Sequence, residues 1–479
     1  MSKLANFLFL NLPSSDKITR RYMCSYQSPT SLFPPLELLS LASVYKHIAG
    51  SAPHFIDAIA NNINITELCI YIGENKISHI VSLIGFECFE EDMLMVAKIK
   101  EAYPNVTFLV FGHYPTLFAQ AILDNSAVDI VIKGEPEEVF ADHFYKLENT
   151  SEKKIWEFEI GNGVNKNRIK DYNNLDSPLY DLVDHKPYHE PMMARPFGMI
   201  QSARGCPYSC NYCVKSFGTR LTLRSPEKVV EDILFLQKTH KIKALRFIDD
   251  TFTVNKQRVL DICALLVSKK IKLEWSCLSR TDNIDVEMLQ AMKKAGCKRI
   301  YYGVENASQR ILDAYKKGIN AQEALAVIHL TNKAGIETAG FFMLGLPEEN
   351  EDDFLQNKAF IKAAKFDYIG IGGLVLYPGT ELYERYKAEV DFSLFPYVNK
   401  FKDESIQRRY LRWNKELYDS FLYSRHFASK LISKSIKSPL QTIDTLSNAL
   451  KYELNYGNGF FHHIQKNKTK LNSLEEKPV

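Results

Sequence analysis

Short apolar runs alternate with helix-length segments twice along this chain, and a proline-rich stretch separates the two series. In the first, strand-like runs fall at 6–10, 54–56, 79–84, 107–111 and 130–132, with helix-like segments at 36–48, 65–72, 90–102 and 116–124. Apolar runs bounded by turn residues read as strands, and apolar positions three and four apart read as helix. Strands that alternate with helices predict a doubly wound parallel sheet of α/β class, whose ligands collect at the carboxyl ends of the strands. Residues 1–147 are therefore expected to form one domain.

Residues 148–195 change character, gathering Asn, Asp, Lys and Tyr with Pro178, Pro187 and Pro191, and Pro196 follows; an interdomain connector is expected there. The second series has strands at 199–202, 244–248, 273–277, 299–303, 338–344 and 368–376, with helices at 226–239, 256–269, 286–295, 321–334 and 352–365. Six repeats are too few for a closed eight-fold barrel. This second domain is bounded at 196–395. From 396 to 479 the strands stop, and aromatic and basic residues accumulate, among them Arg408, Arg409, Arg412, Trp413, Lys415, Tyr418 and Arg425. A helical cap over the barrel mouth is favoured there over a basic amphipathic helix touching membrane or an anionic substrate. The tail from Lys466 is expected to be disordered.

A chain of 479 residues exceeds the size at which one core keeps growing, and 46% hydrophobic with 24% charged residues is ordinary globular composition. The formal charge of +3 is too mild to argue for a nucleic-acid partner. No N-terminal segment combines a basic start, an apolar stretch and a small-residue cleavage site, and residues 6–12 are too short to span a bilayer, so a cytoplasmic protein is expected.

Three of the 9 cysteines, Cys206, Cys210 and Cys213, fall in one eight-residue stretch spaced Cys-x3-Cys-x2-Cys, just after the first strand of the second series. Structural zinc takes four ligands in paired short spacings, and Cys263 is too isolated to complete a second pair. An iron–sulfur cube has one thiolate per iron, so a triplet with no near fourth partner leaves one iron open. The other cysteines (Cys24, Cys69, Cys88, Cys263, Cys277, Cys297) show no disulfide framework and are expected to be mostly buried, small and apolar.

With this triplet, and with Tyr212 in the aromatic position before the third cysteine, the chain resembles the radical S-adenosylmethionine (SAM) enzymes. The resemblance implies a 4Fe–4S cluster whose open iron chelates SAM, a partial six-fold barrel, and reductive cleavage of SAM to a 5′-deoxyadenosyl radical. It also implies SAM contacts at strand ends. Asp249 and Asp250 would meet the amino group, in the Asp-Asp form of cobalamin-dependent relatives, with a helix cap as the structural alternative. Ser276 and Arg280 would end the third strand and Glu305 the fourth; an Arg280–Glu305 ion pair is the structural alternative, and Glu305 is favoured over Arg280 as a SAM contact. Gly340 and Gly345 would let backbone approach the adenine, and 377–380 would form a further loop on that side.

A doubly wound domain ahead of such a barrel resembles the cobalamin-binding domain of the cobalamin-dependent radical SAM family, on the segments 34–41, 82–85, 111–116 and 129–137. Ser82, Gly85, Gly112 and Thr116 are the implied corrin-lining positions. Ile59 stands where the lower-ligand histidine of classical cobalamin proteins would lie, a histidine that many of the radical SAM relatives also lack, so histidine ligation at this position is not expected, and His113 is not assigned to cobalt. The resemblance implies a cobalamin-dependent methyltransferase acting on an unactivated carbon of a small molecule, supplied with electrons by flavodoxin or ferredoxin. Cyclisation, ring contraction, oxidation, or a first domain without cobalamin are the alternatives.

Overall fold

The computed structural model describes residues 6–145 apart from 15–16, 23–24 and 28–29, then residue 147 and residues 153–157, 169–391, 400–443, 445 and 447. Cys24 and the tail from Lys466 lie outside these described residues.

Strands β1 (Phe7–Asn11), β2 (His54–Asp57), β3 (His79–Leu83), β4 (Thr107–Phe111), β5 (Ile130–Ile132) and β6 (Lys154–Trp156) form one sheet in the order β2-β1-β3-β4-β5-β6. Every pairing is parallel, with Leu8 opposite His54 on one side and Ile80 on the other. Helices cover both faces, which is why all five residues of β1 are buried. The helices follow their local signals. Leu36–Ala49 (α1) stops at Gly50, which takes φ 73°. Ile65–Glu74 (α2) starts with an Asn64/Glu67 capping box. Phe89–Ala102 (α3), His113–Asn125 (α4) and Pro136–Phe144 (α5) complete the layer. The strand order reverses between β1 and β3, the topological switch point of such a sheet.

One strand departs from the sequence reading. Strand β6 lies inside the stretch expected to be connector, pairing Ile155 with Val131. Three residues in a polar surrounding are too few to display a period, so only the neighbouring edge reveals it.

The second sheet runs β7 (Phe197–Ile200), β8 (Ala244–Phe247), β9 (Glu274–Ser279), β10 (Cys297–Glu305), β11 (Glu337–Leu344) and β12 (Tyr368–Gly373), all parallel and in sequence order. Helices Pro226–Thr239 (α6), Lys256–Ser268 (α7), Val286–Lys294 (α8), Ala321–Lys333 (α9) and Glu351–Ala364 (α10) connect them. Strands β7 and β12 do not pair with each other, so the barrel stays open. Its core continues into the first domain: Leu36 and Leu39 of α1 are buried with Phe197 and Met199 of β7, and each such side chain contributes about 1.5–3 kcal/mol by burial.

The C-terminal region flanks the barrel. Helix α11 (Glu404–Leu422) stacks Trp413 on Phe354 of α10 at 5.2 Å. Ile371 of the edge strand β12 donates its N–H to the Tyr418 hydroxyl at 3.0 Å, and its carbonyl accepts from Asn414 at 3.2 Å. The region expected to cap the barrel mouth thus packs along a strand edge that would otherwise offer unpaired backbone groups. Helix α12 (Arg425–Lys437) follows. Among the described residues no helix is long and apolar enough to cross a membrane.

Candidate active site

The three cysteines occupy a loop closed by a short hairpin, Ala203–Arg204 against Thr222–Leu223, immediately after β7. Gly205 holds φ 91°, and a Cβ there would lie 2.2 Å from the Arg220 carbonyl oxygen, so only glycine fits the loop's entry. The Cys206 N–H donates to Gly218 O at 3.1 Å. Asn211 ties the loop to the far side of the barrel: its side chain donates to Ala314 O at 2.8 Å, and its carbonyl accepts from the Leu382 N–H at 3.1 Å.

Burial pushes the thiols of Cys206 and Cys213 above their ordinary range, and Asp250 and the neighbouring thiols push the same way. Cys206 and Cys213 therefore favour neutral thiols until a cationic group arrives to hold them as thiolates. Among the described residues no three His, Cys, Asp or Glu side chains converge on a single metal ion. A cube asks for something else, three thiolates on three separate irons, and three neighbouring cysteines in one constrained loop fit that donor set.

Around this loop the structure places the other implied SAM residues unevenly. Asp249 is fully buried and accepts from the Ser202 and Ala203 N–H groups at 2.6 and 2.9 Å and from the Ser202 hydroxyl, so it braces the chain between β7 and the hairpin. Asp250 accepts from the Gly205 N–H at 3.1 Å, beside the first cysteine. Ser276 lies in mid-strand and donates to Glu190 at 2.9 Å; β9 ends two residues beyond the reading, at Ser279, whose hydroxyl is 2.6 Å from that of Thr253.

Arg280 does reach the loop. Its guanidinium lies 3.8 Å from Cys210 Sγ and 3.8 Å from the centre of the Tyr208 ring, while donating to Asp282 and to Lys317 O. It forms no pair with Glu305. That carboxylate instead meets Lys317 Nζ at 2.9 Å, and Lys317 also reaches the Tyr212 hydroxyl at 3.3 Å. Glu305 holds φ 64°, a left-handed conformation that costs a non-glycine residue about 1–3 kcal/mol and recurs at ligand-binding positions.

The two glycines differ. A Cβ at Gly340 would lie 2.6 Å from the Phe366 ring, so this glycine makes room for the helix-side core. Gly345 takes φ 105° and donates to Glu349 at 2.6 Å. Glu349 also accepts from Leu346 N at 3.0 Å and from the Asn306 side chain at 2.8 Å, joining the ends of β10 and β11. Burial pushes its carboxyl up to about 7, against the pull of the two N–H groups.

In the first domain, the Ser82 hydroxyl is fully buried in β3 and has no hydrogen-bond partner among the described residues. Gly85 donates weakly to Asp92 at 3.4 Å. Gly112 holds φ 135°, and a Cβ there would lie 2.6 Å from Ile84 O, so the close crossing of two strand ends demands glycine. The Thr116 hydroxyl donates to Gly112 O at 2.7 Å and accepts from the Gly134 N–H at 3.0 Å. His113 Nε2 has no hydrogen-bond partner among the described residues, and burial pushes the imidazole down to about 4, so the ring is neutral at pH 7. Ile59 packs into the shared core. A buried ion pair, Arg20 to Asp92 at 2.7 Å, bridges the two sides of the switch point, Arg20 donating to Asn11 and Leu12 at the end of β1 and Asp92 accepting from Gly85 after β3.

The carboxyl ends of the two sheets face each other. Tyr377 after β12 donates to Glu87 after β3 at 2.6 Å, and its ring lies 5.0 Å from Phe86. Phe217 of the cysteine loop stacks on Tyr22 at 4.8 Å, and Arg204 pairs with Glu135 and Glu137 of the first domain. Sequence reasoning gave no role to Lys317, Tyr208, Glu349 or Arg204: Lys317 reaches Glu305 by tertiary approach, Glu349 caps the turn after β11 and reaches Asn306, and Tyr208 and Arg204, although in or beside the cysteine loop, have partners distant in sequence, Asn283 and Glu137.

Comparison with known proteins places this geometry. The sequence model of the radical SAM superfamily matches residues 200–361. An uncharacterized methyltransferase of Pyrococcus horikoshii is 28% identical over 84% of this chain and 86% of its own length. An anaerobic magnesium-protoporphyrin IX monomethyl ester cyclase of Cereibacter sphaeroides is 25% identical over 76% of this chain, which spans 63% of that relative. Among solved structures, the cobalamin-dependent radical SAM enzyme OxsB with aqua-cobalamin bound superposes with a TM-score of 0.67 over 99% of this chain and 76% of that one, at 16% identity. The radical SAM methyltransferase TsrM from Kitasatospora setae, with cobalamin and an iron–sulfur cluster bound, gives 0.61 over 79% and 74%, also at 16% identity. With its cysteine triplet, residues 200–361 that match the radical SAM superfamily and a doubly wound first domain, the chain contains a radical SAM domain and has the two-domain fold of the cobalamin-dependent radical SAM enzymes.

Proposed function

We propose that this protein is a cobalamin-dependent radical SAM methyltransferase acting on an unactivated carbon of a small molecule. The observation that carries the reading is the opposition of two faces: the cysteine loop of the barrel looks toward the strand ends of a domain built like those that hold cobalamin. When bound, the cluster would supply the electron that splits SAM and the corrin would supply the methyl group. Cys206, Cys210 and Cys213 would hold the cluster. Arg280 would bring positive charge beside Cys210, Glu305 with Lys317 would order the SAM end of the pocket by charge-assisted hydrogen bonds, and Asp250 would fix the loop's entry. The Ser82 hydroxyl and His113 Nε2, without hydrogen-bond partners among the described residues, are buried polar groups at the other face, and the closed strand crossing at Gly112 shapes it. A low-potential flavodoxin or ferredoxin would deliver the electron.

The test is anaerobic reconstitution with iron, sulfide and hydroxocobalamin, followed by gel filtration and incubation with reductant and methyl-labelled SAM. The expected result is about one corrin retained per chain and label recovered on the corrin. Cluster uptake with no corrin retained would leave a radical SAM enzyme and remove the methyltransferase reading. The similarity to a cyclase over 76% of the chain favours ring formation as the second reading; it would show as SAM cleavage with no label transferred to product.

A further inference from the structure

Arg204 stands two residues before the first cysteine, yet its side chain leaves the barrel. Its Nη1 lies 3.0 Å from Glu135 Oε2 and its Nη2 2.6 Å from Glu137 Oε1, and all three side chains are 1% exposed. Nη1 also donates to Glu137 Oε2 at 3.1 Å, and Nε to Gln201 Oε1 at 2.9 Å. The rings of Tyr172 and Phe217 hold the guanidinium at 4.9 and 5.0 Å.

The first-domain end of this contact is equally fixed. Glu135 follows Gly134, whose N–H donates to Thr116 and whose carbonyl accepts from the Tyr22 hydroxyl at 2.5 Å. Tyr22 in turn stacks on Phe217 of the cysteine loop. A buried group of charges is poor as a source of stability, because desolvation consumes most of the attraction and apolar replacements often do as well. What a planar guanidinium between two carboxylates provides is direction, since its fork fixes angle as well as distance.

We propose that Arg204, gripped by Glu135 and Glu137, is a positioning residue that sets the cysteine loop against the first domain, so that the placement of the three thiolates is dictated by that domain. The proposal builds on the radical SAM reading above for what the loop carries, but the contact itself belongs to the protein alone. It also makes the two domains one functional unit, with Arg204 orienting the cysteine loop while the Tyr377–Glu87 hydrogen bond and the Tyr22–Phe217 stack hold the two opposed faces together.

The test uses the full chain and two variants. E137Q keeps the shape and removes a charge; R204K keeps the charge and removes the fork. In metal-free protein, hydrogen–deuterium exchange in residues 203–218 is expected to rise at least tenfold in both, with β9 and β10 unchanged. After anaerobic reconstitution both should bind iron at the wild-type stoichiometry, while the electron paramagnetic resonance signal of the reduced cluster with SAM shifts and broadens. Should E137Q fail to fold, R204K carries both readouts. Wild-type exchange together with a wild-type spectrum would overturn the proposal. So would a uniform rise in exchange across the barrel, which reports lost stability rather than lost placement. A wild-type protein that binds no cluster would count against the radical SAM reading, and the exchange measurement would still decide the role of Arg204.

Discussion

Lys317 Nζ stands 2.9 Å from Glu305 Oε1 and 3.3 Å from the hydroxyl of Tyr212, the residue before the third cysteine. A carboxylate at the end of β10 is thereby joined to the cysteine loop through one ammonium group. Replacing Glu305 by Gln keeps a hydrogen-bonding shape and removes the charge. SAM affinity is expected to fall about tenfold, on the order of 1.4 kcal/mol, with iron content unchanged. Isothermal titration of the reconstituted protein measures it, and wild-type affinity would confine Glu305 to a structural pairing with Lys317.

Gly112 makes a prediction about the first domain. A methyl group there would meet Ile84 O at 2.6 Å in a backbone region that L-residues avoid. Gly112→Ala is expected to cost roughly 1–3 kcal/mol of stability, read as a lower urea midpoint, and to lower corrin retention because the strand crossing must open. Unchanged midpoint and retention would show that the crossing yields at no cost.

Glu349 makes a prediction about pH. Its carboxyl titrates near 4.5 when unfolded and at about 7 in the folded protein, because burial penalises the charged form. The folded state then holds the proton over a range where the unfolded state has lost it. The stability tied to that proton is complete below pH 4.5 and is lost as pH rises to about 7, with an upper size of about 3 kcal/mol. Urea melts of Glu349→Gln between pH 4.5 and 7 should show a flatter dependence than wild type, and parallel curves would contradict the assignment.

Much of this arrangement was legible from sequence, and what was not had a physical cause. Strands separated by helices identified both sheets, and the triplet located the loop. Ser276 was expected at a strand end because the apolar run stops near Cys277, but parallel pairing with Tyr301 and Tyr302 carries β9 on to Ser279. Gly340 was expected to face a ligand, yet a glycine's sequence does not say which face of the strand needs the space, and here the Phe366 ring takes it. Lys317 lies beyond the short helix Gln309–Ala314, which folds the chain back toward Glu305. No period or motif encodes such a return.

The central claim is that Cys206, Cys210 and Cys213 hold a cluster that cleaves SAM. Its most direct test compares anaerobically reconstituted wild type with the triple alanine variant, incubated with SAM and dithionite, by measuring 5′-deoxyadenosine. Wild type is expected to bind about four irons per chain and to form 5′-deoxyadenosine, and the variant to do neither, since the cube loses all its protein ligands. Formation of 5′-deoxyadenosine by the triple variant at the wild-type rate would contradict the account.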